Sequence, residues 1–338
     1  MANYANSVLL AAIGKVAPKF QAKEFRRQFY GAHELFLKDV DYSVPNLAEI
    51  RASTLRTTTA KYLTKSSPTV GTTRACSPSG TVGDSGTVDL TWTPYVASIT
   101  VSEKRHGNNY YSKVDALAAE LEGVFQALHD DIETDMIANL ETNKTGVNNG
   151  SAFMGTWDSV NDIYEIAQAS KTNYYNYIKT IMRENKYRGE LYAVQNVAAM
   201  AVMDEQVAQG SGNSTNLQYN YTGLQFLEST ALTVTSDYHI LSYVAEPSSV
   251  GVLDWIEPLN RRGQIAGEKE WTTMQDPFGF GWTWQVFYTR ACADTSGSAG
   301  ATQDLTETWE ISIDLALVKA PLSTANETPI YKFGLTAS

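Results

Sequence analysis

Cysteine, histidine and long apolar runs are all scarce in this sequence, and each scarcity removes a class of function. Two cysteines occur in 338 residues, Cys76 and Cys292, without a C-x-x-C partner. That excludes a disulfide framework and a cysteine-ligated zinc site, and leaves two free, buried thiols as the expectation. The four histidines, His33, His106, His129 and His239, never fall at metal-ligand spacing. There is no H-E-x-x-H helix, no G-x-S-x-G elbow and no P-loop. Gly279-Phe280-Gly281 superficially resembles a phosphate loop. It lacks the Lys-Ser/Thr and precedes a strand pattern, where a phosphate site needs a helix N-terminus. No catalytic residue, metal ligand or cofactor is therefore assigned. No apolar stretch approaches the roughly 18 to 20 residues of a membrane span. Val8 to Ile13 is too short and no basic residue precedes it, so neither a membrane segment nor a signal peptide is expected.

Positive charge is also in short supply and unevenly placed. The chain carries 26 Lys/Arg against 37 Asp/Glu, a net charge of −11. Residues 1–74 hold eleven basic and five acidic side chains, and the remainder fifteen and thirty-two. An acidic body argues against a dedicated nucleic-acid binder. A basic leading segment, with Lys19, Lys23, Arg26 and Arg27 at its centre, is expected to reach toward acidic surface on its own body or on a neighbour's.

A 43% hydrophobic and 19% charged composition is that of a folded chain with ample core material. Residues 1–55 mix short helical patches with loops. Lys19 to Leu37 suits a short amphipathic helix broken near Gly31, and Asp39 to Pro45 a turn. Residues 56–106 turn β-like, with Thr57, Thr58, Thr59, Tyr62 and Thr64, a Gly/Ser/Pro-rich tip at Ser66 to Gly86, and a second run through Val88, Leu90, Trp92 and Val101. The clearest signal lies at 112–142. Val114, Leu117, Leu121, Val124, Leu128, Ile132, Met136 and Leu140 recur at steps of three and four, predicting a helix of about 45 Å. A helix that long needs a sheet or other chains along its length. Asp130, Asp131, Glu133 and Asp135 point in several directions at helical spacing and read as a solvated face, with His129 solvated beside them.

Two helical stretches are predicted near 159–169 and 172–186, then a strand at Glu190 to Gln195, with Asn196 as N-cap of a helix from Val197 to Gln209. Gly210 to Asn216 reads as a loop, followed by short strands to Trp255, and long strands at Gly279 to Arg290 and Thr306 to Val318. Helices and strands are mixed without a βαβ repeat, an α+β class. Seven Trp and nineteen Tyr supply residues of the kind that anchor interfaces, Trp92 among the candidates, although many of them must also be core.

This order of parts resembles the Hong Kong 97-type major capsid fold of tailed bacteriophages. The resemblance rests on the basic arm, the β excursion with its polar tip, the long helix, and the Glu190-Leu-Tyr-Ala-Val-Gln-Asn196 strand running into a helix. Gly223-Leu-Gln-Phe-Leu-Glu-Ser229, followed by Tyr238 to Val244, is similar to the strand series of that family's axial domain. The resemblance implies an N-arm at 1–55, an E-loop hairpin at 56–106, and a spine helix with the first part of a peripheral domain at 107–158. An axial domain at 159–275 and closing strands of a peripheral/axial return at 276–338 complete it. It implies a major capsid protein, not an enzyme, that self-assembles as hexamers and pentamers into an icosahedral shell around double-stranded DNA, bound without sequence specificity. A portal is an implied partner, and because the long helical scaffold segment of many family members is not seen, a separate scaffold protein, or none, is implied. The implied location is the virion, assembled in the host bacterial cytoplasm. Lys19, Lys23, Arg26, Arg27 and Trp92 are the candidate subunit-interface residues. An encapsulin-like compartment shell, a tail or decoration protein, and an enzyme of unknown class are the alternatives.

Overall fold

The computed structural model describes residues 4–21, 29–38, 47–56, 59–63, 70, 72, 76, 80, 85–102, 113–144, 154–187, 189–210, 223–294, 303–319 and 329–337. In chain order, the first part holds α1 (Tyr4–Gln21), α2 (Gly31–Leu37), α3 (Leu47–Ala52), β1 (Thr59–Leu63), β2 (Ser85–Asp89), β3 (Thr93–Ser102) and the long helix α4 (Lys113–Asn143). The middle holds β4 (Thr156–Asp158), β5 (Ile163–Ile166), a 3₁₀ turn (Gln168–Asn173), α5 (Tyr174–Glu184), β6 (Leu191–Asn196), α6 (Ala199–Gly210), β7 (Leu224–Ser229) and β8 (Tyr238–Ala245). The last part holds β9 (Val250–Trp255), α7 (Pro258–Arg262), β10 (Ile265–Ala266), β11 (Lys269–Gln275), β12 (Thr283–Asp294), β13 (Gln303–Lys319) and β14 (Tyr331–Thr336).

The apolar series predicts α4 to within a residue, and its 31 residues bury one stripe from Leu117 to Leu140. Several elements cover that stripe in turn. Leu9, Ala12 and Val16 of α1 join Tyr95, Ile99 and Val101 of β3 and Trp309, Ile311 and Ile313 of β13 in the same core. The far end of α4 meets a different sheet, where the Glu141 carboxylate accepts from Tyr243 Oη at 2.5 Å and Lys332 Nζ at 3.0 Å. One helix thus spans two sheets, which is why its length is stable.

The first sheet is antiparallel in the order β10-β11-β12-β13-β3, with β9 pairing the distal part of β13. Strict alternation along β13 sets its face. Glu307, Trp309, Ile311, Ile313 and Leu315 are buried, while Thr308, Glu310, Ser312 and Asp314 are only partly covered. The second sheet is mixed, in the order β4-β5-β14-β8-β6-β7. Its central strands are buried on both faces because the alternation serves two cores. Tyr192 and Val194 of β6 face the α4 core, and Leu191 and Ala193 face a second core built on Tyr174, Tyr175, Ile178 and Ile181 of α5. Gly334 of β14 is required by crowding, since a Cβ there would lie 2.6 Å from Tyr238 Cδ1 and 2.8 Å from Ile163 Cδ1.

Several sequence expectations change. The helix predicted near 159–169 is instead a turn, the strand β5 and the start of the 3₁₀ turn. Ile163, Tyr164 and Ile166 are strand formers, buried by the sheet they join. Asn196 caps no helix. It ends β6, where its side chain donates to the His239 carbonyl at 3.1 Å and accepts from Leu241 N at 3.2 Å, fastening β6 to β8. The N-terminal helix begins at Tyr4, not near Lys19, because the Val8 to Ile13 run packs on α4; a separate helix starts at Gly31. Both cysteines are exposed, not buried. The span 159–275 divides between the sheets after Ala245, and β14 returns to the second sheet from the far end of the chain. The expected turn at Asp39 to Pro45 and loop at Gly210 to Asn216 lie outside the described residues, apart from Gly210 itself.

Candidate functional site

Only part of the expected β excursion is a hairpin, in which β1 pairs antiparallel with β2, from Thr59 opposite Asp89 to Leu63 opposite Ser85. The rest of the second run, β3, joins the first large sheet beside β13, and most of the Ser66 to Gly86 tip lies outside the described residues. The β1–β2 pair forms a sheet of its own and joins neither large sheet. A two-stranded ribbon is at best marginally stable in water, so it gains most from surface outside itself.

Among the candidate interface residues, Lys19 lies in the last turn of α1. Lys23, Arg26 and Arg27 are outside the described residues. Trp92 is half-buried against a small core of Leu47, Ile50, Leu90, Leu253, Ala316 and Val318. Other basic residues of the leading segment meet the chain's own acidic body. Lys15 pairs with Asp115 at the start of α4. Arg51 reaches Asp254 at 2.5 Å, and Arg56 reaches Asp314 at 3.4 Å. Burial pushes the Asp314 carboxyl up despite Arg56.

A buried polar junction, which the sequence reading missed, ties the leading segment to the rest. His33 of α2 and His129 and Glu133 of α4 are fully buried, so the expectation that His129 and Glu133 are solvated is corrected. Asp131 and Asp135 of the same acidic run are exposed, as expected. His33 Nδ1 lies 2.6 Å from Glu133 Oε2, His33 Nε2 lies 3.2 Å from His129 Nδ1, and His129 Nε2 lies 3.0 Å from Asp276 Oδ1. Glu133 also accepts from Ala32 N at 2.9 Å, His33 N at 3.0 Å and Ser229 Oγ at 2.6 Å. Those two amides open α2, so the carboxylate caps a helix N-terminus as well as pairing a histidine. Gly31 permits the close seating of α2, because a Cβ there would stand 2.6 Å from the Glu228 carbonyl oxygen of β7. Tyr30 Oη donates to Asp130 at 2.7 Å beside it.

Aromatic rings enclose the imidazoles. His129 stacks on Phe278 at 4.9 Å and on Trp282 at 5.5 Å, and His33 lies 4.9 Å from Phe280. These rings come from the Gly279-Phe280-Gly281 turn, whose glycines take φ of 87° and 80°. Its amides bind a carboxylate of the chain itself. Phe278 N and Phe280 N donate to Asp276 at 3.3 and 2.9 Å, and Trp284 Nε1 adds a third bond at 3.3 Å. Burial pushes Asp276 up, but the His129 hydrogen bond and charge and these amides outweigh it and hold the carboxyl below its usual range. Burial lowers His33 below the ordinary imidazole value, against the raising effect of its hydrogen bond to Glu133.

A separate open cavity of about 560 Å³ is lined by Lys171, Ala201, Val202, Val234, His239 and Leu335 among others. Its lining includes one histidine and one lysine. Among the described residues, no group of three or more His, Cys, Asp or Glu is disposed to hold a metal ion.

No protein-family model and no curated protein matches the sequence. Solved structures do match in shape. A chain from Mycobacterium phage Che8 is 14% identical and superposes with a TM-score of 0.52 over 91% of this chain and 92% of its own. The capsid of a native GTA particle is 11% identical with a TM-score of 0.47, covering 86% of this chain and 91% of that one. The capsid of Ralstonia phage GP4 is 8% identical with a TM-score of 0.46, covering 83% and 84%. The likeness to the Che8 chain is one of fold over nine-tenths of both chains, and the fold is the α+β, Hong Kong 97-like one expected from the order of elements.

Proposed function

We propose that this chain is the major capsid protein of a tailed bacteriophage, assembling with copies of itself into the icosahedral shell around double-stranded DNA. The observation that carries this reading is the fold, matched almost end to end with the Che8 phage chain. The layout supports it: a hairpin outside both sheets, a leading helical segment, and a rigid 31-residue helix joining two sheets. Such appendages gain stability by lying over neighbouring copies, and symmetry repeats each modest contact around a closed shell. In this reading Lys19, Lys23, Arg26, Arg27 and Trp92 sit at subunit contacts within hexamers and pentamers. A portal and a separate scaffold protein are the further partners, and DNA is enclosed without sequence readout. The chain acts in the virion after assembly in the host cytoplasm, and performs no catalysis. No helix among the described residues is long and apolar enough to cross a membrane.

Electron microscopy of the chain expressed in bacteria, alone and with its phage's other structural genes, tests the proposal. Uniform icosahedral particles built of this chain are expected, and nuclease-protected DNA in particles from infected cells. Dispersed monomers under every condition would overturn it. Particles that enclose an enzyme and no DNA would replace it with a compartment shell.

A further inference from the structure

The buried junction contains an odd number of protons, and this follows from its hydrogen bonds alone. Glu133 accepts from two amides, a hydroxyl and His33 Nδ1, and Asp276 accepts from two amides, an indole and His129 Nε2. Surrounded by donors, both carboxylates are ionised. His33 Nδ1 and His129 Nε2 must then each carry a proton. The 3.2 Å contact between His33 Nε2 and His129 Nδ1 requires one more, since two lone pairs would repel. Two imidazoles thus hold three protons and one positive charge between two carboxylates. The third proton is shared between His33 Nε2 and His129 Nδ1 across that 3.2 Å contact.

A fourth proton on the imidazole pair puts an N–H on both facing nitrogens, His33 Nε2 and His129 Nδ1, head on at 3.2 Å. It would also create two adjacent imidazolium ions in a site with no access to water. The structure places this conflict at a junction of four parts: α2 through His33, α4 through His129 and Glu133, β7 through Ser229, and the β11–β12 turn through Asp276. Among the described residues, the other carboxyl groups facing it are Glu34 of α2, raised by burial and by the Glu133 charge, and Asp130 of α4, which is bonded to Tyr30, whose ring lies 5.1 Å from that of His33. Both are carboxylates and neither supplies a cation that could take over the role of the third proton.

We propose that the His33–His129 pair is a proton-operated latch, closed with three protons and opened by a fourth, which frees α2 from the long helix. The sign follows from His33. Its folded pKa lies below the unfolded value of about 6.5, so the unfolded or undocked chain binds the extra proton more readily. The His33 contribution to the docking of α2 is therefore fully present above about pH 6.5 and is lost as pH falls below it.

Hydrogen exchange of the full-length chain, followed by mass spectrometry on peptides covering 29–38, tests the latch. After correction for intrinsic rates, exchange there should quicken by up to about tenfold per pH unit below about pH 6.5, the limit for a one-proton opening. Peptides from α5 should not change. His239→Gln, an exposed control, should behave as wild type, whereas His33→Gln should abolish the pH response. An α2 whose protection is flat between about pH 8 and pH 5 overturns the proposal, as does the same response in His33→Gln. Should His33→Gln fail to fold, nitrogen-15 spectra of the wild-type histidines decide. One cationic and one neutral ring in the pair at about pH 7.5 supports the latch, and two neutral or two cationic rings refutes it.

Discussion

Replacing Glu133 by glutamine changes a single oxygen to an NH₂ and tests the junction by its shape-conserving loss. The carboxylate accepts four hydrogen bonds, two at each oxygen. An amide can accept at only one end, so its NH₂ faces either Ala32 N–H and the Ser229 hydroxyl, or His33 N–H and His33 Nδ1–H. The first arrangement is less costly, because the Ser229 hydroxyl can turn and accept. Ala32 N–H is then left facing a donor, at about 1–3 kcal/mol. The negative charge that balances the imidazole pair is also gone, and breaking a buried charge pair from one side costs about 3–5 kcal/mol. These overlap, so a total of about 4 kcal/mol is expected against a whole stability of about 5–15 kcal/mol. With an unfolding entropy of roughly 2.1 cal/mol/K per residue, or about 0.7 kcal/mol/K for this chain, that lowers Tm by about 6 °C. Calorimetry of the unassembled chain reads it directly. Asp131→Asn removes a charge of the same run but from an exposed side chain, and should stay within about 0.5 kcal/mol of wild type. Equal effects of the two substitutions would refute the reasoning, because Glu133 would then be one more surface charge.

Gly334→Ala forces a methyl group within 2.8 Å of Tyr238 and Ile163, and should cost about 1–3 kcal/mol in a denaturant melt. Combining Arg26→Glu with Arg27→Glu should block assembly of empty shells, as scored by sedimentation. Normal empty shells with defective packaging would place that cluster against DNA and not against a neighbour. Asp276 is held below the usual carboxylate range, so its contribution to stability is present above about pH 3.8 and is lost as pH falls through its lower folded value. Asp276→Asn should therefore destabilise at neutral pH and flatten the acid limb of the stability–pH curve, measured by urea unfolding at a series of pH values.

The long helix was legible because its signal is local: Leu117, Leu121 and Leu128 and their successors repeat within one element. The junction was not, since His129 finds His33 96 residues away and Asp276 147 residues away. One clue was present. Leu121, Phe125, His129 and Glu133 form an unbroken series at steps of four, and the stripe takes in Phe125, which is fully buried, where the sequence reading had favoured Val124, which is only partly covered. Polar residues that continue a buried stripe are candidates for a partnered interior site. The strand at Ile163–Ile166 was misread because a segment with three apolar residues in four, beside a helix, fits either period, and only the sheet that receives it decides.

The place of β14 bears on how the chain is made. Tyr331–Thr336 lies between β5 and β8, so the β4–β5 edge and the β8–β6–β7 half of the second sheet have no strand contact until it arrives. It follows the end of β8 by 86 residues. At a synthesis rate of roughly 5 to 20 residues per second, that is a delay of about 4 to 17 s on the ribosome. During that time β8 presents an open edge of unpaired backbone groups, beside strands already able to form. A nascent chain that stalls in this interval therefore exposes a sticky strand edge, whereas one that passes residue 336 closes the sheet from within. The chain thereby links the closing of this strand edge to the synthesis of residues 331–336.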